Sequence, residues 1–297
     1  MSAATGMSNV PDVAIDSSRR SHAWIAAFRT VPGITGLVLM AVVVVLALLA
    51  AFGLTPYNPA HQNVSEALSA PSAKHWFGTD QFGRDTFSRV AAGLANSLLI
   101  AVVSVAAAAV VGTLIGVLAG FFLGVTDRVV GIVTNVLFAF PSLLLALALA
   151  ATLQRSWLTV AIAIAVVYMP IFARVARGPV LTLRTADYVQ ASTAIGRRRF
   201  STLFAHVIPN MRGILVVQIT LSLSWAILTE AALSFLGFGT PPPAASLGGM
   251  VYEAQALTSV APWMLLFPGA ALICAVIGLN LLGDGLRAAL DPKTGGR

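Results

Sequence analysis

Charge is what this sequence has least of. Lys, Arg, Asp and Glu make up only 10% of the 297 residues, while hydrophobic residues reach 58%. Soluble proteins carry about 25% charged residues, and 18 basic and 11 acidic side chains are too few to solvate a 30.8 kDa globule. A water-soluble domain is excluded, and the chain is placed in lipid. Cysteine is nearly absent. The single Cys274 excludes an intramolecular disulfide, and within its apolar run it reads as a small core residue. The four histidines, His22, His61, His75 and His206, are too scattered to share a metal ion. There is no P-loop, no H-E-x-x-H, no G-x-S-x-G and no Cys/His cluster. The chain is therefore expected to carry no catalytic residues, no metal and no cofactor, and to have no energy-converting chemistry of its own. Ionisable residues deep in the apolar runs are also scarce, with Glu230 the candidate, which argues against a proton relay or an ion-coupled carrier.

What the sequence has instead is apolar length. A bilayer core of about 30 Å needs about 20 apolar helical residues, and six stretches qualify, over 33–54, 92–124, 128–152, 158–176, 212–236 and 262–286. The second exceeds a span, so its first turns are expected along the interface or within the protein. The net charge of +7 could suggest nucleic acid, but the basic residues lie in short segments between apolar runs and form no continuous basic face. Sorted with the N-terminus inside, 14 of the 18 fall on inner segments, and only Lys74, Arg84, Arg89 and Arg155 fall outside. The positive-inside rule then gives an N-in, C-in topology. Residues 1–32 read as a cytoplasmic arm, 33–91 as a first span plus an extracytoplasmic loop, 92–286 as a five-helix domain, and 287–297 as a cytoplasmic tail. A second outer loop covers 237–261.

Several patterns lie within this frame. Gly112, Gly116, Gly120 and Gly124 recur every four residues, which reads as a packing seam where two helices meet backbone to backbone, or alternatively as a gating hinge. Pro141 and Pro170 are expected to kink spans three and four. Asp80 and Asp85, with Arg84 between them, suggest a turn held by local ion pairs rather than a catalytic pair. On span five Gln218, Ser222, Trp225 and Thr229 fall within an arc of about 60°, a narrow polar stripe that either lines a pathway or bonds a neighbouring helix. Glu230, beside its outer end, is open to the same two readings.

The longest inner connection, 177–211, reads as helix, break and helix. Thr185-Ala186-Asp187 caps the first helix, with Asp187 at the positive end of the dipole. Tyr188, Ala191, Ala194 and Ile195 follow at helical spacing, and Gly196 ends it. After Arg197, Arg198 and Arg199, the residues Phe200, Leu203, Phe204 and Val207 give a second apolar face that Pro209 and Asn210 stop. The arginines could rest on anionic lipid. The small face of the first helix, with Ala and Ser where a lipid-binding helix has large side chains, suits a groove on another protein.

This segment resembles the cytoplasmic signature of bacterial ABC-importer permeases, E-A-A-x3-G-x9-I-x-L-P, in the register Gln190-Ala191-Ser192, Gly196, His206, Ile208, Pro209. The departures are Gln190 for Glu, Ser192 for Ala, His206 for Ile and Ile208 for Leu. His75 to Asp85 as HWFGTDQFGRD, Thr229 to Gly239 as TEAALSFLGFG and Leu281 to Pro292 as LLGDGLRAALDP resemble the C-type permease of the dipeptide/oligopeptide/nickel subgroup. The resemblance covers roughly residues 70 to 292. It implies an all-α type I importer permease in the bacterial cytoplasmic membrane, forming half of a pathway for di- or oligopeptides. Its implied partners are a second homologous permease, two ATP-binding subunits that hold ATP and Mg, an extracytoplasmic solute-binding protein and membrane lipid. The coupling residues would be Asp187, Tyr188, Gln190, Ala191, Ser192, Ala194, Ile195, Gly196, Arg197 and Arg198. A stand-alone ion-coupled carrier and a non-transporting scaffold are the alternatives; both leave the ordered motifs unexplained.

Overall fold

The computed structural model describes residues 30–290, so most of the expected arm and tail lies outside the described residues. The nine main helices are α1 (Val31–Ala51), α2 (Thr86–Phe122), α3 (Gly124–Ala139), α4 (Ser142–Thr152), α5 (Trp157–Leu183), α6 (Asp187–Ala194), α7 (Arg212–Phe235), α8 (Leu247–Ala254) and α9 (Trp263–Leu290). Five of them, α1, α2, α5, α7 and α9, are long and apolar enough to cross a membrane. The pair α3 and α4 makes a sixth crossing if it is counted as one broken span. Among the described residues the only β-pairing is an isolated bridge between Thr79 and Asp85.

Local chemistry sets the helix starts. Thr30 Oγ1 accepts from Gly33 N–H at 3.2 Å to open α1, with Pro32 in the first turn, where its missing N–H costs nothing. Asp85 Oδ2 accepts from Ser88 N–H at 2.8 Å to open α2. That helix has 37 residues, about 55 Å at 1.5 Å per residue. Its surplus first turns are buried in the protein through Thr86, Ser88, Arg89, Leu94 and Ser97.

The centre of the bundle is the contact of α2 with α5. A Cβ placed on Gly112 would collide with the Met169 carbonyl, and one on Gly116 with that of Ala173. One on Gly120 would lie 3.1 Å from the Arg177 carbonyl. The four-residue spacing thus lets two backbones touch in a medium that supplies no hydrophobic drive for association. Gly124 is not part of this row. It has φ +65° with open space around it and serves the reversal between α2 and α3, beside Leu123 at φ 55°. Phe172, Ile100, Ile164 and Leu94 fill the main core around the seam, and α1 closes on α9 where a Cβ on Gly36 would stand 2.8 Å from Leu282 N.

Two expectations need correction. Span three is not one kinked helix: α3 and α4 meet at 93°, with Phe140 extended (φ −93°, ψ 139°) and Pro141 capping α4. Proline disfavours helical backbone in the residue before it, so the helix ends at that point instead of bending. Pro170, by contrast, lies inside an unbroken α5. That helix also runs to Leu183, beyond the expected 176, because Ala176 and Val180 pack with Val117, Val189 and Leu203 in a second core. Hydropathy marks the edge of the lipid, and packing marks the end of the helix.

Candidate coupling helix and pathway wall

Helix α6 is joined to α5 by three residues. Its cap differs from the expected one: the N-cap residue is Ala186, with no side-chain bond, while Thr185 Oγ1 donates to the Thr182 carbonyl at 2.8 Å and so belongs to the end of α5. Asp187 stands in the first turn, where its charge suits the dipole. The C-terminus is a complete Schellman closure. Gly196, at φ 82°, donates to the Thr193 carbonyl at 3.1 Å, and Arg197 N–H donates to that of Ser192 at 3.2 Å. Only Val189 and Ser192 of α6 are buried. Gln190, Ala191 and Ala194 face outward. Tyr188 is 45% exposed and Ile195 83% exposed. Gln190 Nε2 donates to the Thr185 carbonyl at 3.0 Å, so the amide standing where the signature has a carboxylate binds the preceding turn.

The stretch 199–210 does not stop at Pro209. Proline has no N–H to give, and the turn before it widens so that Ile208 N–H reaches the Leu203 carbonyl five residues back. Only Met211 then separates this stretch from α7. The two halves are tied by contacts that spacing alone did not announce. Arg197 Nη1 lies 3.0 Å from His206 Nε2, and Asn210 Nδ2 donates to Tyr188 Oη at 3.3 Å. Ser192 Oγ lies 3.1 Å from Thr202 Oγ1. Arg198 and Arg199 are exposed.

The stripe on α7 is interrupted. Trp225 is 60% exposed, and Gln218 and Thr229 are partly so, but Ser222 is buried and accepts from Gln218 Nε2 at 3.0 Å. Thr229 Oγ1 stands 3.1 Å from Tyr168 Oη on α5. Glu230 is not on this surface at all. It is fully buried, accepting from Ser97 Oγ of α2 at 2.6 Å and from Ser234 Oγ at 2.7 Å, so it pins α7 to α2. Asn96 Nδ2, one residue before Ser97, reaches the Ala245 carbonyl at 2.7 Å and fastens the following loop to the same place.

The opposite end of the bundle holds a denser polar network. Arg84 Nε pairs with Asp80 Oδ2 at 2.5 Å, which fits the expected local turn. The turn is not only local, however. Arg84 and Arg89 also reach Glu253 at 3.1 and 3.5 Å, so α8 is clamped to the 55–85 segment. Trp263 Nε1 donates to the Thr79 carbonyl at 3.1 Å, and Phe77 stacks on Phe267 at 3.9 Å, which adds α9 to the clamp. His75 bridges two carboxylates, Asp85 at 2.8 Å and Glu66 at 2.9 Å, with the Tyr57 ring 4.7 Å away. Burial draws the His75 imidazole down, but the bonds to Asp85 and Glu66 outweigh it and hold the pKa above the usual value. The ammonium of Lys74, then His75, hold Glu66 below the usual carboxylate range. Neither the His75 bridge nor Glu253 was singled out by sequence, because their partners come from 9 to 169 residues away.

Long apolar helices meeting through glycine, with a bare amphipathic helix at one end and an ion-paired cap at the other, define a polytopic helical membrane protein. The chain belongs to the family described as binding-protein-dependent transport system inner membrane component, whose profile matches residues 112–296. It is 39% identical to the dipeptide transport system permease protein DppC of Alkalihalophilus pseudofirmus, over 91% of this chain and 90% of that one. It is 40% identical to the probable D,D-dipeptide transport system permease protein DdpC of Escherichia coli, covering 86% and 87%. The oligopeptide transport system permease protein OppC of Bacillus subtilis is 37% identical, covering 87% and 84%. The chain is thus a multi-pass permease component of a binding-protein-dependent ABC importer in the plasma membrane, a class that works with ATPase and solute-binding partners.

Proposed function

We propose that this chain forms half of the translocation pathway of an ATP-driven importer of short peptides, with both termini cytoplasmic and six crossings, α3 and α4 counting as one. It pairs with a second homologous permease, takes peptide from an extracytoplasmic binding protein, and draws energy from two ATP-binding subunits that hold ATP and Mg; it has no ATPase site itself. The observation that carries this reading is α6, a helix of eight residues closed by Gly196 with only two side chains buried. Such a helix is shaped to sit in another protein. Closure of the ATPase subunits would move it as a rigid body and, through α5 and the glycine seam, rock the spans. Gln218, Trp225 and Thr229 would form the wall that substrate passes, consistent with their exposure on α7. The peptide class is that named for the dipeptide and oligopeptide permeases to which the chain is similar.

The test is ATP-driven uptake of labelled di- and tripeptides into liposomes. Uptake is expected only when this chain, the second permease, both ATPases and the binding protein are all present. Flux through the purified chain alone, or an ion gradient replacing ATP, would overturn the proposal in favour of a secondary carrier.

A further inference from the structure

Two arginines on α5, three residues apart, are held in opposite ways. Arg177 is anchored through both Nε and Nη2 by Asp127 of α3, at 2.5 and 2.8 Å. Arg174 is exposed. Its guanidinium carbon lies 4.0 Å from the centre of the Phe138 ring, and its Nη2 reaches Asn135 Oδ1 at a long 3.4 Å. Among the described residues no carboxylate pairs with it. Buried Phe172, Ala173 and Ala176 occupy the seam side of α5, so Arg174 points away from the α2 contact. Asn135 and Phe138 lie at least two turns further along α3 than Asp127. Arg174 therefore reaches toward the middle of the bundle, away from the end where its neighbour is tied.

An unanswered guanidinium on the lipid side of the inner face carries a cost. Arg174 stands 17 residues after Trp157, about 25 Å along a core of about 30 Å, so its backbone lies about 5 Å from the inner face, and its side chain turns back from that face toward Asn135 and Phe138 instead of out to the headgroups. A charge turned inward in this way faces a water-filled cavity or a partner, not lipid. Helix α3, which supplies Asn135 and Phe138, has no buried residue on any face, so the surface around Arg174 is not closed by this chain. A guanidinium lying on an aromatic ring keeps its edge free, and that edge offers two parallel N–H donors that match a carboxylate. A single long bond to a neutral amide leaves those donors available. Weak holding also suits a passage site, which must release what it receives.

We propose that Arg174, lying on Phe138 beside Asn135, is an oxyanion-receiving station on the inner half of the pathway that takes the carboxylate of a passing peptide. This rests on the peptide-importer reading. The same chemistry would accept a lipid phosphate, and the experiment separates the two sources. The complete transporter, with its second permease, ATPases and binding protein, is reconstituted in phosphatidylcholine alone and in a mixture with phosphatidylglycerol. Uptake of radiolabelled alanine di- and tripeptides is then measured for wild type, Arg174→Gln and Arg174→Lys. The Gln variant is expected to lower maximal uptake about tenfold, the size of one lost charge-assisted bond. The half-saturating peptide concentration and the binding-protein-stimulated ATPase should stay unchanged, so that less peptide moves per ATP. The Lys variant should recover most of the loss, and the result should be the same in both lipids. Undiminished uptake in Arg174→Gln overturns the station, and so does a parallel fall of ATPase and uptake, which marks a structural role. A loss confined to the phosphatidylglycerol vesicles assigns the guanidinium to an anionic lipid headgroup instead. If wild type itself carries no peptide with ATP, the importer reading fails first and takes the station with it.

Discussion

The two ends of the bundle solve opposite problems. At the end formed by 55–85 and α8, charged groups find partners within the chain: Asp80 with Arg84 and Arg89, Glu253 with both arginines, and His75 between Glu66 and Asp85. At the end formed by α6 and 199–210, Arg198 and Arg199 are exposed, as are Ile195, Phe200 and Phe204, and the links between the halves are single neutral or His-mediated contacts. The first end answers most of its charge within the chain and holds three helices together, with Arg89 Nε and Nη1 left without hydrogen bonds. The second, on the proposed reading, is incomplete until an ATPase subunit covers it. Perturbation should therefore register as lost stability at the first end and as lost activity at the second.

The largest effect is expected at the incomplete end. Gly196→Pro cannot adopt φ 82°, and Ala191→Trp fills the exposed face of α6. Each should leave the chain inserted with its Tm nearly unchanged, yet abolish peptide uptake and stimulated ATP hydrolysis in the reconstituted complex. Normal uptake by either variant would remove α6 from the coupling role. At the closed end Asp80→Ala leaves two buried guanidinium groups without their shared carboxylate. Breaking such a pair costs about 3 kcal/mol or more, a fall in Tm of about 6 to 12 °C in a chain of this size, read by thermal unfolding in detergent. A Tm unchanged by this substitution would contradict the view of an end that answers most of its charge within the chain. Glu253→Gln loosens the clamp on α8 without orphaning Asp80, because its carboxylate is partly exposed. A loss of about 1 kcal/mol is expected, with increased proteolysis of the 237–261 loop.

The smallest effect is on pH. Because the folded state raises the His75 pKa, it favours the protonated ring. That contribution is complete below the unfolded value of about 6.5 and is lost as pH rises through the higher folded one. Wild-type Tm should therefore decline over this alkaline limb more than that of His75→Gln. A parallel decline in the two proteins would show that the bridge carries no proton-linked stability.

The sequence made the five long apolar helices and the short helix α6 legible for a simple reason: both are written in local periodicity. The glycine row needs no more than a four-residue count to be seen, and Gly196 announces its own turn. What remained hidden depended on distance or on competition between local rules. Pro141 and Pro170 look alike in sequence, yet one ends a helix and the other sits inside one, because α5 is packed on α2 through buried residues on both sides of Pro170, whereas α3 has no buried residue to carry its helix past Pro141. The position of Glu230 beside the stripe leaves a pathway wall and a helix bond equally open, and only the approach of Ser97 from another helix shows it to be a fastening. Arg174 lies only two residues inside the inner end of the expected span 158–176, so sequence alone does not separate it from the basic residues of the adjoining loop.

The continuity of α5 has a mechanical consequence. Its 27 residues make a rod of about 40 Å, roughly 10 Å longer than the lipid core, so the end that carries α6 overhangs the bilayer. With the glycine seam, centred at Ala173, as fulcrum, the arm toward α6 is about 15 Å and the far arm about 24 Å. On the proposed coupling role, a push of about 2 Å on that overhang swings the far end by about 3 Å in the opposite sense. The gearing is then modestly above one to one, so the opening exceeds the stroke that drives it by about half.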